Sequence, residues 1–200
     1  MKTLLSSLAA LALTAAASPA ANVFLSEFHY DNAGGDTGEF IEVYALVGTL
    51  PGDISVVLYN GSGGASYGTF NGSSAANIAS LGSATVGAST YDIYYWDTPG
   101  LQNGAPDGIA VSDGVMVEFW SYEGSFTASG GIANGLTSTD VGVLEPGDTP
   151  GTSITKDFVT GGWSVTNSPT LGTANPAVPE PAAVALAMTA ALGFVARRRR

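Results

Sequence analysis

The run Val23-Phe24-Leu25-Ser26-Glu27-Phe28-His29-Tyr30, then Asp31-Asn32-Ala33-Gly34-Gly35-Asp36-Thr37-Gly38-Glu39, then Phe40-Ile41-Glu42-Val43-Tyr44-Ala45, decides the fold. Two stretches rich in β-branched and aromatic residues flank one rich in Gly, Asp and Asn, which reads as strand, loop, strand. The same composition recurs at Ile54–Tyr59, Ser66–Phe70, Tyr91–Trp96, Gly108–Val111, Val115–Tyr122 and near Ile154–Val159. Asn60-Gly61, Asn71-Gly72 and Asp113-Gly114 supply turn signals between these runs. Pro106-Asp107-Gly108 reads as a type I turn with proline presetting φ. No stretch of this body repeats its apolar residues at the helical period of about 3.6. Strand number and spacing predict an all-β, immunoglobulin-like antiparallel β-sandwich. Ser73–Thr90 and Gly124–Gly151, rich in Gly, Ser, Ala and Thr, are expected to be long surface loops.

The two ends read differently. Met1-Lys2-Thr3, an apolar stretch from Leu4 to Ala17 and then Ser18-Pro19-Ala20 follow the order of a secretion signal. Residues 1–20 are therefore expected as a signal helix removed by signal peptidase, leaving a body over residues 22–177. At the other end, Pro179-Glu180-Pro181 precedes an apolar run from Ala182 to Ala196 and then Arg197, Arg198, Arg199 and Arg200. Proline suits the first turn of a helix, where its missing N–H costs nothing. Fifteen residues of helix rise about 22 Å, short of a hydrocarbon core of about 30 Å. The arginines would snorkel at one side and mark that side as cytoplasmic.

Residues 178–200 resemble the PEP-CTERM sorting signal, in which a Pro-Glu-Pro motif, a hydrophobic helix and an arginine cluster stand in fixed order. That resemblance implies transient membrane insertion through the C-terminal helix, initial anchoring at the inner membrane, and processing by an exosortase-type transpeptidase. The destination would be the cell surface or the extracellular matrix. An ordinary permanent anchor is the competing reading, and the two differ only in whether the tail persists.

Setting the ends aside changes the charge statistics. The body holds sixteen acids against Lys156 alone, a net charge of −15. Such a surface disfavours nucleic acid as a partner, because that binding neutralises phosphates with Lys and Arg. It fits cations, neutral glycans such as exopolysaccharide, or basic partners. There is no cysteine, so an exported body must be held by packing or by a bound ion.

Two further blocks, Gly104-Ala105-Pro106-Asp107-Gly108-Ile109-Ala110 and Thr170-Leu171-Gly172-Thr173-Ala174-Asn175, join the opening strand–loop–strand in resembling bacterial lamin-tail-like domains. The usual pattern has asparagine where Ser26 stands and proline where Leu171 stands. The resemblance implies an immunoglobulin-like sandwich. Such domains often accompany secreted nucleases, whose metal-dependent sites need several His, Asp and Asn together. Here His29 is the only histidine.

No catalytic set emerges, and the expected role is a non-enzymatic surface or matrix module. Asp31, Asp36 and Glu39 offer oxygen ligands for calcium in one glycine-flexible loop, with Glu27 or Glu42 as helpers. The loop departs from the EF-hand because Ala33 and Gly35 occupy the third and fifth places, and acidic loops also arise for conformational reasons alone. Apart from calcium, no cofactor is expected. Gly64-Ala65-Ser66-Tyr67-Gly68 matches the nucleophile-elbow pattern, yet no helix pattern follows it and the histidine lies upstream. A glycosidase could nominate Glu118 with Glu123, or Glu39 with Glu42, and nothing selects either pair. Trp96, Trp120 and Trp163 fit a sandwich core or a sugar-stacking platform. A calcium- or glycan-binding recognition module and a secreted hydrolase remain the alternatives.

Overall fold

The computed structural model describes residues 22–73, 79–147 and 151–175. Within them the chain is all-β, built as two sheets, with one turn of 3-10 helix at Pro51–Asp53 as its helical element. The expected N-terminal signal helix and C-terminal hydrophobic helix lie outside the described residues. Among the described residues no helix is long and apolar enough to cross a membrane.

The strands are β1 (Val23–His29), β2 (Phe40–Leu46), β3 (Ser55–Asn60), β4 (Ser66–Asn71), β5 (Ala79–Val86), β6 (Ser89–Asp97), β7 (Asp107–Ser112), β8 (Val117–Tyr122), β9 (Thr139–Asp140), β10 (Ser153–Lys156) and β11 (Trp163–Thr166). Sheet A runs β11-β10-β1-β2-β6-β5, and sheet B runs β4-β3-β7-β8-β9. Every pairing is antiparallel except the short β8–β9 contact. Val23, Leu25, Phe28, Ile41 and Val43 of sheet A meet Val56, Leu58, Ile109 and Val111 of sheet B in one core, with Trp96 and Tyr122. Burying side chains of this size contributes about 1.5–3 kcal/mol each, so this layer is the main source of stability.

A bulge in β1 fixes which side chains face outward. Leu25 pairs with Val43, but Glu27, not Ser26, pairs with the next residue along, Glu42. The extra residue resets the alternation, so that Leu25 and Phe28 both face the core. It also sets two glutamates opposite each other on the outer face.

Eight expected strands are present, with ends shifted by one or two residues in most cases. β10 stops earlier, at Lys156, because the Asp157 carboxylate accepts from the Val159 and Thr160 N–H groups and turns the chain. Two loop expectations are corrected. Ser73–Thr90 contains β5, hydrogen-bonded to β6 at the sheet edge. Gly124–Gly151 is not simply a surface loop: Ala128 and Ala133 are buried against Val57 and Tyr59, covering the outer face of sheet B. Small residues let that flap approach closely, and the Tyr59 hydroxyl donates to Gly130 O (3.1 Å) and accepts from Ala133 N (3.0 Å). The expected Pro106 turn is also replaced, since Asp107 and Gly108 already belong to β7.

Candidate functional site

Two acidic regions stand out. The first is on the outer face of sheet A, where Glu27 and Glu42 are both fully buried. Like charges directly opposite in a sheet repel, and burial adds a desolvation cost. The chain answers with donors. Glu27 accepts from the Ser153 hydroxyl, the Thr170 hydroxyl and the Thr170 N–H (3.1 Å). Glu42 accepts from the Ser26 hydroxyl (2.8 Å) and the Gly172 N–H (2.7 Å). Burial pushes the Glu42 carboxyl up to about 8, against the opposing effect of the Gly172 and Ser26 bonds. Asn175 completes the clamp: its N–H donates to the Tyr44 hydroxyl (2.7 Å) and its amide to Ser26 O (2.9 Å). The segment Thr170–Asn175 is thereby fastened across β1 and β2.

The second region is the loop end of the sandwich. Asp31 and Asp36 are brought together by one side chain, with the Asn103 amide donating to Asp31 Oδ1 (3.5 Å) and Asp36 Oδ2 (3.3 Å). Glu39 does not join them. It is 5% exposed, its Oε2 accepts from the Gly100 N–H (2.7 Å), and its Oε1 has no partner. Burial raises the Glu39 pKa. The expected helpers Glu27 and Glu42 are committed to the clamp. Among the described residues no three His, Cys, Asp or Glu are gathered so as to hold a metal ion.

Sequence reasoning overlooked Glu145, which organises this end. It is 1% exposed and accepts from the Tyr30 N–H (2.7 Å) and the Asp31 N–H (3.1 Å). It also pairs with His29 Nδ1 (2.8 Å), while His29 Nε2 meets the Asn32 amide (2.9 Å). Burial pulls the His29 pKa down, but Glu145, with the Thr37 backbone and the Asn32 side chain, holds it above its ordinary value. No local sequence signal marks Glu145: the Thr152 hydroxyl donates to it (3.2 Å), but its His29, Tyr30 and Asp31 partners lie more than 110 residues away.

The tryptophans do not form one platform. Trp96 is in the core, whereas Trp120 and Trp163 are partly buried and meet edge to face, ring centres 5.3 Å apart. Between the sheets they face the Lys156 ammonium, 4.8 Å from the Trp120 ring and 5.4 Å from the Trp163 ring. Glu118 is 3.6 Å from the same ammonium, so the body's lone cation is spent on structure. Ser66 opens β4 of a hairpin, with no helix after it, and so lacks the setting of a nucleophile elbow.

The remaining predicted site residues, Pro179, Glu180, Pro181 and Arg197–Arg200, lie outside the described residues. They follow the clamp directly, since its last described residue is Asn175. Neither a curated protein nor a solved structure matches the chain. The family comparison does not support the lamin-tail-like assignment. What it does find is at the C-terminus: residues 177–200 match the PEP-CTERM protein-sorting motif, so the chain carries a signal for export toward the cell surface and for sorting by an exosortase.

Proposed function

We propose that the chain is an exported, non-catalytic surface or exopolysaccharide-associated protein, whose β-sandwich is a structural or adhesion module released by removal of its tail. The sorting motif at residues 177–200 carries this reading. The proposal includes its domain limits: a signal over 1–20, the sandwich over 22–177 and the sorting tail over 178–200, inserted transiently in the inner membrane. A lamin-tail-like, immunoglobulin-like origin for the sandwich is part of the proposal. In its support, the opening block Val23–Val43 and the closing block Thr170–Asn175 meet in space, through Glu27, Glu42 and Asn175. The test is to fractionate producing cells with and without the sorting transpeptidase and to weigh the protein by mass spectrometry. A mass lacking the tail only when the enzyme is present is the expected result. A retained tail in both strains ends the processing claim.

A second reading keeps calcium at Asp31, Asp36 and Glu39. Its support is the Asn103 amide, which already draws the first two carboxylates together.

A further inference from the structure

An open cavity of about 320 Å³ lies between the β3–β4 turn and the β6–β7 loop, lined chiefly by Asn60, Ser62, Gln102, Asn103, Pro106 and Asp107. That volume sits at the small end of ligand pockets, about 300–1,000 Å³. Its groups are fixed from behind. Asn60 Oδ1 accepts from the Ser62 N–H (2.7 Å), and Asn60 Nδ2 donates to Gln102 Oε1 (2.7 Å). The Gln102 N–H donates to the Tyr67 hydroxyl (2.9 Å), which holds the Gln102 backbone in place.

What these bonds leave over decides the ligand. Gln102 keeps its Nε2 as a spare donor, because its only side-chain bond is through Oε1. Asn103 keeps Oδ1 as a spare acceptor, its amide nitrogen being committed to Asp31 and Asp36. Asp107 is 2% exposed; its Oδ1 accepts from the Gly61 N–H (3.0 Å), while Oδ2 has no partner. The Gly104 N–H faces that carboxylate without reaching hydrogen-bond geometry. Gly104 also keeps the space beside Oδ2 clear, since a Cβ there would lie 3.1 Å from the oxygen. A buried carboxylate oxygen without a donor is costly, by about 1–3 kcal/mol, and a ligand hydroxyl would supply the donor.

We propose that this cavity binds a neutral, polyhydroxylated ligand, a hexose unit of a glycan, with its hydroxyls shared among Asp107, Gln102 and Asn103. Spare donors and acceptors side by side suit hydroxyl groups, which both give and accept hydrogen bonds. Asp31, Asp36 and Asp107 repel acidic sugars, and Lys156, the body's lone cation, is held between the sheets. The proposal rests on the matrix-associated function and names its ligand class.

The test is isothermal titration of the full chain, in detergent, with cellotetraose, maltotetraose and tetragalacturonate, alone and after Gln102→Ala, Gly104→Ala and Asp107→Asn. Saturable binding of a neutral tetrasaccharide, no binding of the uronate, and at least tenfold weaker binding in Gln102→Ala and Gly104→Ala are expected. Gly104→Ala removes no hydrogen bond, and φ at Gly104 is not positive, so it separates occlusion of the cavity from loss of fold. Thermal melts of each variant identify any that fails to fold, and Gln102→Ala decides if Asp107→Asn does. No binding of either neutral sugar, equal binding of the uronate, or binding indifferent to Gln102→Ala and Gly104→Ala would overturn the proposal. The surface reading fails separately, on a tail that is never removed in the producing cell.

Discussion

Glu27 and Glu42 lie opposite each other on the outer face of sheet A and receive five donors between them, whereas Asp31 and Asp36 at the loop end have the Asn103 amide, which they share, and the Asn32 N–H. Both regions are acidic, and the sequence offers Asp31 and Asp36 as calcium ligands with Glu27 or Glu42 as helpers. The difference is where the donors come from. At the clamp they come from strands and from the segment that precedes the sorting motif, so the acids hold the chain together. At the loop end the backbone supplies less, and side-chain oxygen is left for something else.

The sharpest way to break this comparison is to remove the clamp's donors. A chain ending at Pro169 loses the Thr170, Gly172 and Asn175 contacts and leaves two buried carboxylates facing each other. Leaving a buried polar group without its partners costs about 1–3 kcal/mol, and the truncation strips both carboxyl groups, a large share of a domain's stability. A chain ending at Ala177 keeps every described clamp contact and should stay within about 0.5 kcal/mol of the full chain. Urea unfolding of the two truncations measures both. Equal midpoints would mean that the closing segment merely lies on the sheet.

A gentler change tests the charge itself. The Glu42 pKa is about 8 in the folded chain against an ordinary 4.5, so the folded state holds a proton that the unfolded state gives up. The stabilisation from that proton is complete below pH 4.5 and is lost as the pH rises through 8. Glu42→Gln keeps both contacts, because its carbonyl can accept from Gly172 N and the Ser26 hydroxyl can turn to accept from its amide. The variant should therefore gain on the parent by a few kcal/mol between pH 5 and pH 9, read as urea midpoints across that range. A parallel slope in both proteins would remove Glu42 from the account.

His29 gives a smaller effect at the loop end. Its pKa is raised, so the His29–Glu145 pairing stabilises fully below 6.5 and fades as pH climbs through the folded value. His29→Ala should cost about 1–3 kcal/mol at pH 6 and less at pH 9, by the same unfolding measurement. Glu145 keeps its Tyr30 and Asp31 N–H donors, which is why the loss stays below that of the truncation.

Much of the sandwich was legible because its central strands carry apolar and aromatic runs that only a buried sheet explains. The three strands that were missed, β5, β9 and β11, are all edges. An edge strand has one hydrogen-bonded neighbour and less need of large side chains, so Ala79–Val86 reads as a small-residue loop. Trp163–Thr166 is four residues between Gly161-Gly162 and Asn167, too short to rise above its turns. The site was legible in its residue types but not in its partners. That Asp31 and Asp36 would meet Asn103, while Glu27 and Glu42 would meet Thr170 and Gly172, depends on contacts 67 to 143 residues apart. The β1 bulge that puts the two glutamates opposite each other leaves no mark in composition.

The smallest expected effect is the most useful for the loop end. Asp36 is exposed, and its bonds are to the Asn32 N–H (3.1 Å) and to Asn103 (3.3 Å). Asp36→Ala should shift stability by no more than about 0.5 kcal/mol in metal-free buffer, because exposed positions outside tight networks rarely give more. Repeating the melt with calcium separates the two roles still open for this loop. A ligand present at a hundred times its Kd stabilises by about 2.7 kcal/mol, far above the substitution's own effect. Calcium that raises the parent's Tm but not that of Asp36→Ala would make the loop a metal site, with Glu39 swinging away from Gly100 to join it. Equal melts with and without calcium would leave Asp31 and Asp36 as the acidic wall beside the Asn103 cavity, where they act by repelling anionic sugars.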